Sequence, residues 1–283
     1  MPSFRYVIVD VFTDEPLKGN ALAVFTDARD IPDEQLQPLA REMNFSETVF
    51  VYPAEDDGHA RLRIFTPTVE LQFAGHPILG TAFVLAAPLQ LGEIRLEAGA
   101  GTIPVKVERD ETGRIVFGRM EQPLPSVEPY EDEAELLAAL GVERSALPVE
   151  VYDNGILHVY VTLGSEEEVA ALDPDLGRLA GLSDVLGFNT IAGSGSKWKT
   201  RMFAPAGGVP EDPATGSAAG PLALHLARHG RIAFGDEIEI SQGVEINRPA
   251  TLYARVQGSA EQVERVEVSG AAVTVSRGEF RLP

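Results

Sequence analysis

The sequence predicts an α+β protein made of two similar halves, and three observations carry that prediction. A segment occurs twice: Arg63-Ile64-Phe65-Thr66-Pro67 leads to Gly75-His76-Pro77-Ile78-Leu79-Gly80-Thr81-Ala82, and Arg201-Met202-Phe203-Ala204-Pro205 leads to Asp212-Pro213-Ala214-Thr215-Gly216-Ser217-Ala218. Each copy reads as strand, loop and helix start. The helix that follows is apolar all round, with Ala82-Phe83-Val84-Leu85 in one copy and Leu222-Ala223-Leu224 and Leu226 in the other, the composition of a buried helix. Strand-like segments outnumber helical ones in both halves. Laid on one another, the copies set His76 on Asp212, Pro77 on Pro213, Gly80 on Gly216 and Thr81 on Ser217. Polar groups then recur at one place, the pattern by which a duplication builds one site between two domains.

The elements follow in order. Residues 6–12 read as an opening strand, Gly19-Asn20 as a turn, and residues 21–25 as the neighbouring strand of a hairpin or meander. Residues 33–43 carry helical spacing at Leu36, Leu39, Ala40 and Met43 behind the entry signals Asp30, Pro32 and Asp33. Residues 46–51 turn strand-like, so Glu47 lies at a helix-to-strand junction. Further strands are expected at 60–65, 93–98, 101–108 and 115–120. The stretch 121–129, rich in proline and acid, places the boundary between a first domain of residues 1–125 and a second of 126–283, with the last strand a candidate to return to the first.

The second half opens with an acidic helix at 131–140 and strands near 149–152 and 158–163. Phe188-Asn189-Thr190-Ile191 can be laid on Ser46-Glu47-Thr48-Val49, which puts Asn189 where Glu47 sits, so only one half carries an acid there. Gly193-Ser194-Gly195-Ser196-Lys197 reads as a surface turn, not a phosphate loop. The tail alternates apolar and polar residues at 251–255, 263–268, 272–276 and 279–282, as antiparallel strands do.

Chemistry is expected at the repeated helix starts. A proline directly after a polar residue suits a first helical turn, which makes His76 and Asp212 candidate N-caps. The free N–H groups and positive dipole end of a buried helix face whatever cavity lies at its start, and such an end receives a carboxylate.

Composition excludes other classes. The 283 residues suit two domains of ordinary size, and the 44% hydrophobic content is that of a globular chain. With 43 acidic against 23 basic residues the formal charge is −20, which repels nucleic acid and anionic membrane. No window approaches the length of apolar chain that spans a bilayer, and the N-terminus opens into a strand instead of a signal sequence, so a cytoplasmic protein is expected. The absence of cysteine removes disulfides, thiolate metal sites and thiol nucleophiles together. Among the five histidines, His225 and His229 stand four apart on a helix but lack an acidic third ligand nearby, so no metal is expected. Neither a dinucleotide nor a nucleotide fingerprint occurs, so no cofactor is expected either.

With these residues assembled, the chain resembles the phenazine-biosynthesis isomerase (PhzF-like) family over nearly its whole length. The resemblance rests on the opening hairpin with Gly19-Asn20, on Glu42-Met43-Asn44-Phe45-Ser46-Glu47-Thr48-Val49-Phe50, on Phe73-Ala74-Gly75-His76-Pro77, and on Glu211-Asp212-Pro213-Ala214-Thr215-Gly216-Ser217-Ala218. It implies a diaminopimelate epimerase-like fold, two pseudo-repeated domains each with a rolled mixed or antiparallel sheet around a central helix, and a homodimer. It implies Glu47 as the acid/base that takes a proton from carbon 3 of a cyclohexadiene amino acid and returns one to carbon 1. His76 and Asp212 then hold the amino and hydroxyl groups or assist proton movement. Gly75, Gly216 and Ser217 supply N–H and hydroxyl donors to the substrate carboxylate, with Asn20 and Ser46 lining the site.

For Glu47 to hand back the proton it took, its acidity must be weaker than that of a free glutamate, as burial favours. Two other readings stay open at this point: an isomerase or epimerase acting on another small amino or carboxylic acid, and a non-catalytic dimeric binding protein for small acids.

Overall fold

Strands with alternately buried positions and two largely buried helices organise the chain into two compact units, 1–121 with 269–283 and 122–268. The computed structural model describes residues 2–182 and 187–282. The division falls just before the position read from the sequence, and the chain's last strand belongs to the first unit.

The first unit contains β1 (Ser3–Val11), β2 (Asn20–Phe25), α1 (Asp33–Met43), β3 (Glu47–Tyr52), β4 (Ala60–Phe65), β5 (Glu70–Leu71), α2 (Gly75–Leu89), β6 (Glu93–Ala98), β7 (Gly101–Arg109) and β8 (Ile115–Gln122). Strand pairing runs β1–β2 antiparallel, β2–β3 parallel, β3–β4 antiparallel, β4–β6 parallel, then β6–β7 and β7–β8 antiparallel. The sheet is therefore mixed. Strands β1, β2, β3, β6 and β7 all pack on α2, so the sheet rolls around that helix. Helix α1 covers the other face: Leu36, Leu39 and Ala40 join Phe25, Phe50 and Phe65 in one cluster. Asn44, left-handed at φ 53°, ends α1 by donating its N–H to Ala40 O, three residues before Glu47. Gly19, at φ +61°, turns the chain into β2 where any Cβ would collide with Val11 O.

The second unit contains β9 (Ser126–Pro129), α3 (Glu133–Leu140), β10 (Glu150–Asp153), β11 (Leu157–Thr162), α4 (Glu166–Ala170), α5 (Leu176–Ala180), β12 (Gly187–Ser194), β13 (Lys197–Ala204), β14 (Val209–Asp212), α6 (Gly216–Arg228), β15 (Glu237–Gln242), β16 (Ala250–Gly258) and β17 (Val263–Gly270); β18 (Ala272–Arg281) returns to pair with β1. Its sheet repeats the plan: β9–β10–β11 antiparallel, β11–β12 parallel, β12–β13 antiparallel, β13–β15 parallel and β15–β16 antiparallel. Here α6 is the central helix, buried from Gly216 to Ala227 and packed on β11 and β16. The proline-rich stretch read as a boundary contains β9, held in place by its pairing with β10, a tertiary contact that composition does not announce. Residues 193–197 form the turn between β12 and β13. Among the described residues no helix is long and apolar enough to cross a membrane.

The duplication is visible in a repeated ion pair. Arg63 Nε and Nη2 donate to Glu70 Oε1 and Oε2 at 2.7 and 2.8 Å, and Arg201 does the same to Glu211 at 2.9 and 2.8 Å. Each guanidinium also lies over a phenylalanine two residues on, Phe65 or Phe203. These anchors fix the correspondence between the halves. Because Ile64 pairs with Leu71 and Met202 with Asp212, Asp212 stands in the place of Leu71, and counting on from there brings Gly75 to Gly216 and His76 to Ser217. The superposition of His76 on Asp212 is thus corrected. From Phe65 to Glu70 is five positions and from Phe203 to Glu211 eight, because a 3-10 turn, Pro205–Gly207, is inserted in the second copy.

Candidate active site

In the first unit the site is built where β2, β3 and α2 begin. Alternation puts Asn20 and Leu22 on the face of β2 that meets α2, and the parallel register pairs Leu22 with Glu47, the first residue of β3. Above them His76 is the second residue of α2. Asn20 Nδ2 donates to His76 Nδ1 at 3.3 Å, and Glu47 Oε2 lies 3.4 Å from the same nitrogen.

His76 is buried, and burial pushes its imidazole down to about 3, so the ring is neutral through the ordinary pH range. With Nδ1 accepting from Asn20, the single ring proton sits on Nε2, a buried atom that has no partner among the described residues. An orphaned buried donor of this kind marks a ligand position. The side chain of Glu47 keeps 14% of its exposure, so the carboxylate is shielded but reachable.

The cap of α2 is Ala74, in extended geometry, not His76; the first bond of the helix runs from Ile78 N–H to Ala74 O, and the N–H groups of Gly75 and His76 stand ahead of it. Ser46 is half-buried in the bend before β3, outside this set of contacts.

In the second unit the corresponding corner has different chemistry. The cap of α6 is Thr215, not Asp212. Asp212, at the end of β14, is buried and accepts from Thr215 Oγ1 at 2.6 Å. Gln242 locks the corner: its Oε1 accepts from Thr215 N–H at 3.0 Å, and its Nε2 donates to Asp212 O at 2.8 Å and Thr215 Oγ1 at 2.9 Å. Gly216 O accepts from Gln122 Nε2 at 2.8 Å, and Ser217 O from Asn154 Nδ2 at 2.9 Å. Ser217 Oγ lies 3.0 Å from His158 Nε2, and Tyr160 OH donates to Ala218 O at 2.7 Å.

Sequence reasoning missed His158, Thr215 and Gln242 as builders of this corner, because their partners lie on other elements. It also misplaced Asn189. Val49 pairs with Ile64 and Asn189 with Met202, so Asn189 corresponds to Val49, and Gly187 is the residue in the place of Glu47. Asn189 turns inward and donates to Val159 O and Gly187 O.

A further cluster corrects the reading of His225 and His229. Their acidic third partner comes from β10: Glu150 Oε2 lies 2.8 Å from His229 Nε2 and 3.3 Å from His225 Nδ1. The same carboxylate accepts from Tyr152 OH at 2.9 Å and from Arg228 Nη1 at 3.2 Å. Burial works to raise the Glu150 carboxyl, but the hydrogen bonds from His225, His229 and Tyr152 and the Arg228 charge outweigh it and hold it at about 2. Arg228 supplies to this carboxylate the positive charge a cation would bring, and the group ties the end of α6 to β10.

The family model described as phenazine biosynthesis-like protein, PhzC-PhzF, matches residues 9–278. The trans-2,3-dihydro-3-hydroxyanthranilate isomerase of Pseudomonas aeruginosa is 52% identical over 274 residues, 97% of this chain and 98% of that protein. A Bacillus anthracis phenazine biosynthesis protein of the PhzF family has a structure that superposes with a TM-score of 0.86 at 25% identity, covering 100% of both chains. A hydroxyproline epimerase from Agrobacterium vitis, at 13% identity, covers 99% of this chain and 91% of its own with a TM-score of 0.68, which speaks to the fold alone. The fold is that of the proline and diaminopimelate epimerase-like proteins, as the sequence led one to expect.

Proposed function

The chain belongs to the PhzC-PhzF family of phenazine biosynthesis-like proteins and is an isomerase, and we propose that it converts trans-2,3-dihydro-3-hydroxyanthranilate to its amino-ketone isomer with Glu47 as the one general acid/base. The observation that carries this reading is the Glu47 carboxylate held at the start of α2 beside a neutral imidazole.

Carbon 3 of the substrate carries a hydroxyl and adjoins a diene that ends at carbon 1, which bears the carboxylate. When the C3–H bond breaks, its proton passes to Glu47 and the electron pair spreads through the diene to carbon 1 and its carboxylate. A new C1–H bond forms with the proton returned by Glu47. The enol left at carbon 3 then becomes the ketone by taking a proton at carbon 4 and releasing its hydroxyl proton to solvent. The conjugated carboxylate is itself the electron sink, so the reaction asks for no cofactor. A positioned carboxylate contributes on the order of 10²–10⁴-fold by general base catalysis. Donors aimed at the charge that develops on the substrate carboxylate supply more.

In this reading the N–H groups at Gly75 and Gly216 and the hydroxyl of Ser217 receive the carboxylate. His76 and Asp212 hold the hydroxyl and amino groups, and Asn20 and Ser46 line the site. The neutral His76 ring brings no positive charge up to Glu47, so nothing in the imidazole opposes its holding the proton between uptake and return. A homodimer and a cytoplasmic location are part of the same proposal, and sedimentation and cell fractionation test them.

The deciding experiment incubates purified protein with trans-2,3-dihydro-3-hydroxyanthranilate and follows loss of the diene absorbance. Turnover supports the proposal. Binding without turnover points to a small-acid binding protein, and turnover only with a different small acid points to another isomerase of this fold.

A further inference from the structure

Glu47 and Gly187 hold the same sheet position in their halves, and their parallel neighbours differ to match: Leu22 beside Glu47, His158 beside Gly187. A Cβ on Gly187 would overlap His158 Nδ1. The imidazole therefore fills the space that a side chain at the acid's place would need, and it reaches the second residue of the central helix, Ser217, through Nε2 at 3.0 Å. Asn20 makes the corresponding reach to His76, the second residue of α2, in the first half.

We propose that His158 is a positioning residue that donates its Nε2 proton to Ser217 Oγ and so leaves the serine hydroxyl proton free for the substrate carboxylate. The proposal rests on the reading of the α6 start as a carboxylate subsite. Its physical basis is the tautomer. His158 is 1% exposed, and its Nδ1 has no partner among the described residues. A proton there would be a buried donor pressed against Gly187 with no acceptor among the described residues, and buried orphan N–H groups are rarer than under-used acceptors. The ring proton thus belongs on Nε2. With the opposite tautomer Ser217 would spend its proton on His158 and present only lone pairs to an anion. Burial also pushes the His158 imidazole down to about 3, so the ring keeps one proton over the working pH range.

Two measurements on the full-length enzyme test this. Nitrogen-15 NMR of imidazole-labelled protein reads the tautomer without any activity: a protonated Nε2 and bare Nδ1 on His158, unchanged from pH 5 to 9, is expected, and a protonated Nδ1 overturns the proposal. In a kinetic cycle, His158→Phe and Ser217→Ala each raise KM for the substrate about tenfold or more, as for a lost hydrogen bond to a charged group. The double variant is no worse than either alone, and His158→Gln, which keeps an N–H donor, recovers much of the loss. Additive effects, or an unchanged KM in a folded His158→Phe, overturn it. If Ser217→Ala leaves KM untouched, the carboxylate-subsite reading fails and this role for His158 with it, while the NMR result still reports the tautomer by itself.

Discussion

Glu47 and Gly187 occupy equivalent positions at the starts of β3 and β12, each beside the strand that carries a donor to the central helix, yet only the first bears a carboxyl group. One half carries a carboxyl group at that place, the proposed base, and in the other the His158 ring fills it. In the proposed mechanism that single carboxylate serves both reacting carbons.

Replacing Glu47 with Gln keeps the shape and removes the base. The expected outcome is a fall in kcat of about 10²–10⁴-fold with an unchanged circular dichroism spectrum and a similar melting temperature. Stopped-flow absorbance of the diene measures it, and an active Glu47→Gln enzyme contradicts the assignment.

Neutrality of His76 follows from burial, which pushes its imidazole down to about 3. The pH dependence of kcat/KM therefore contains no limb from this ring between pH 5 and 8. NMR titration is expected to show it uncharged throughout that range, and a ring that titrates near its ordinary value would remove the argument for a neutral partner to Glu47.

Acid stability carries the same signature. His76 and His158 have folded values near 3 against about 6.5 in the unfolded chain, so below pH 6.5 the unfolded state binds protons that the folded state does not. Stability is full above about pH 6.5 and falls as pH drops toward 3, by roughly 1.4 kcal/mol per pH unit for each ring. Urea unfolding at pH 7 and pH 5 reads the difference, and equal stabilities would contradict the burial of both rings as neutral groups.

The repeated ion pair offers a controlled comparison. Arg201 and Glu211 keep only 8% and 11% side-chain exposure, whereas Arg63 and Glu70 keep 21% and 36%. Arg201 also donates to Leu172 O at 2.7 Å. Glu211→Gln leaves a buried guanidinium short of its charge and is expected to cost about 3–5 kcal/mol. Glu70→Gln, in a wetter site, is expected to cost about 1 kcal/mol or less. Equal costs would mean that burial does not separate the two copies.

Gln242→Leu removes the acceptor of Thr215 N–H and the donor to Asp212 O in a buried corner. Each orphaned group costs about 1–3 kcal/mol. A lowered melting temperature together with a raised KM is expected, because the start of α6 loosens. A stable variant with a normal KM would show that Gln242 does not hold this corner.

The helix 33–43 and the Arg-x-Phe strand of each copy are legible because local periodicity creates them. The helix starts were displaced by matching Pro77 to Pro213: Pro77 lies inside α2 whereas Pro213 precedes α6, and the inserted turn at Pro205–Gly207 that separates the copies has no strong local mark. His76 is singled out by the repeated helix start, whereas Glu47 and Asn20 gain their roles only through the resemblance to a family, and the Asn20–His76 contact joins residues 56 positions apart. His158 and Gln242 act over 59 and 27 positions, a range at which spacing carries no signal. Glu150 reaches His229 across 79 positions, so its absence near the histidines in sequence said nothing of its place in space.

The central claim is that the Glu47 carboxyl group carries hydrogen between two carbons of one ring. Running the isomerisation of trans-2,3-dihydro-3-hydroxyanthranilate in deuterium oxide, with wild type and Glu47→Gln side by side, tests it most directly by mass spectrometry and proton NMR of the product. The account predicts that the wild-type product keeps at carbon 1 the hydrogen from carbon 3 and takes solvent deuterium at carbon 4, and that Glu47→Gln forms this product about 10²–10⁴-fold more slowly. Equal label and equal rate in the two proteins would contradict it.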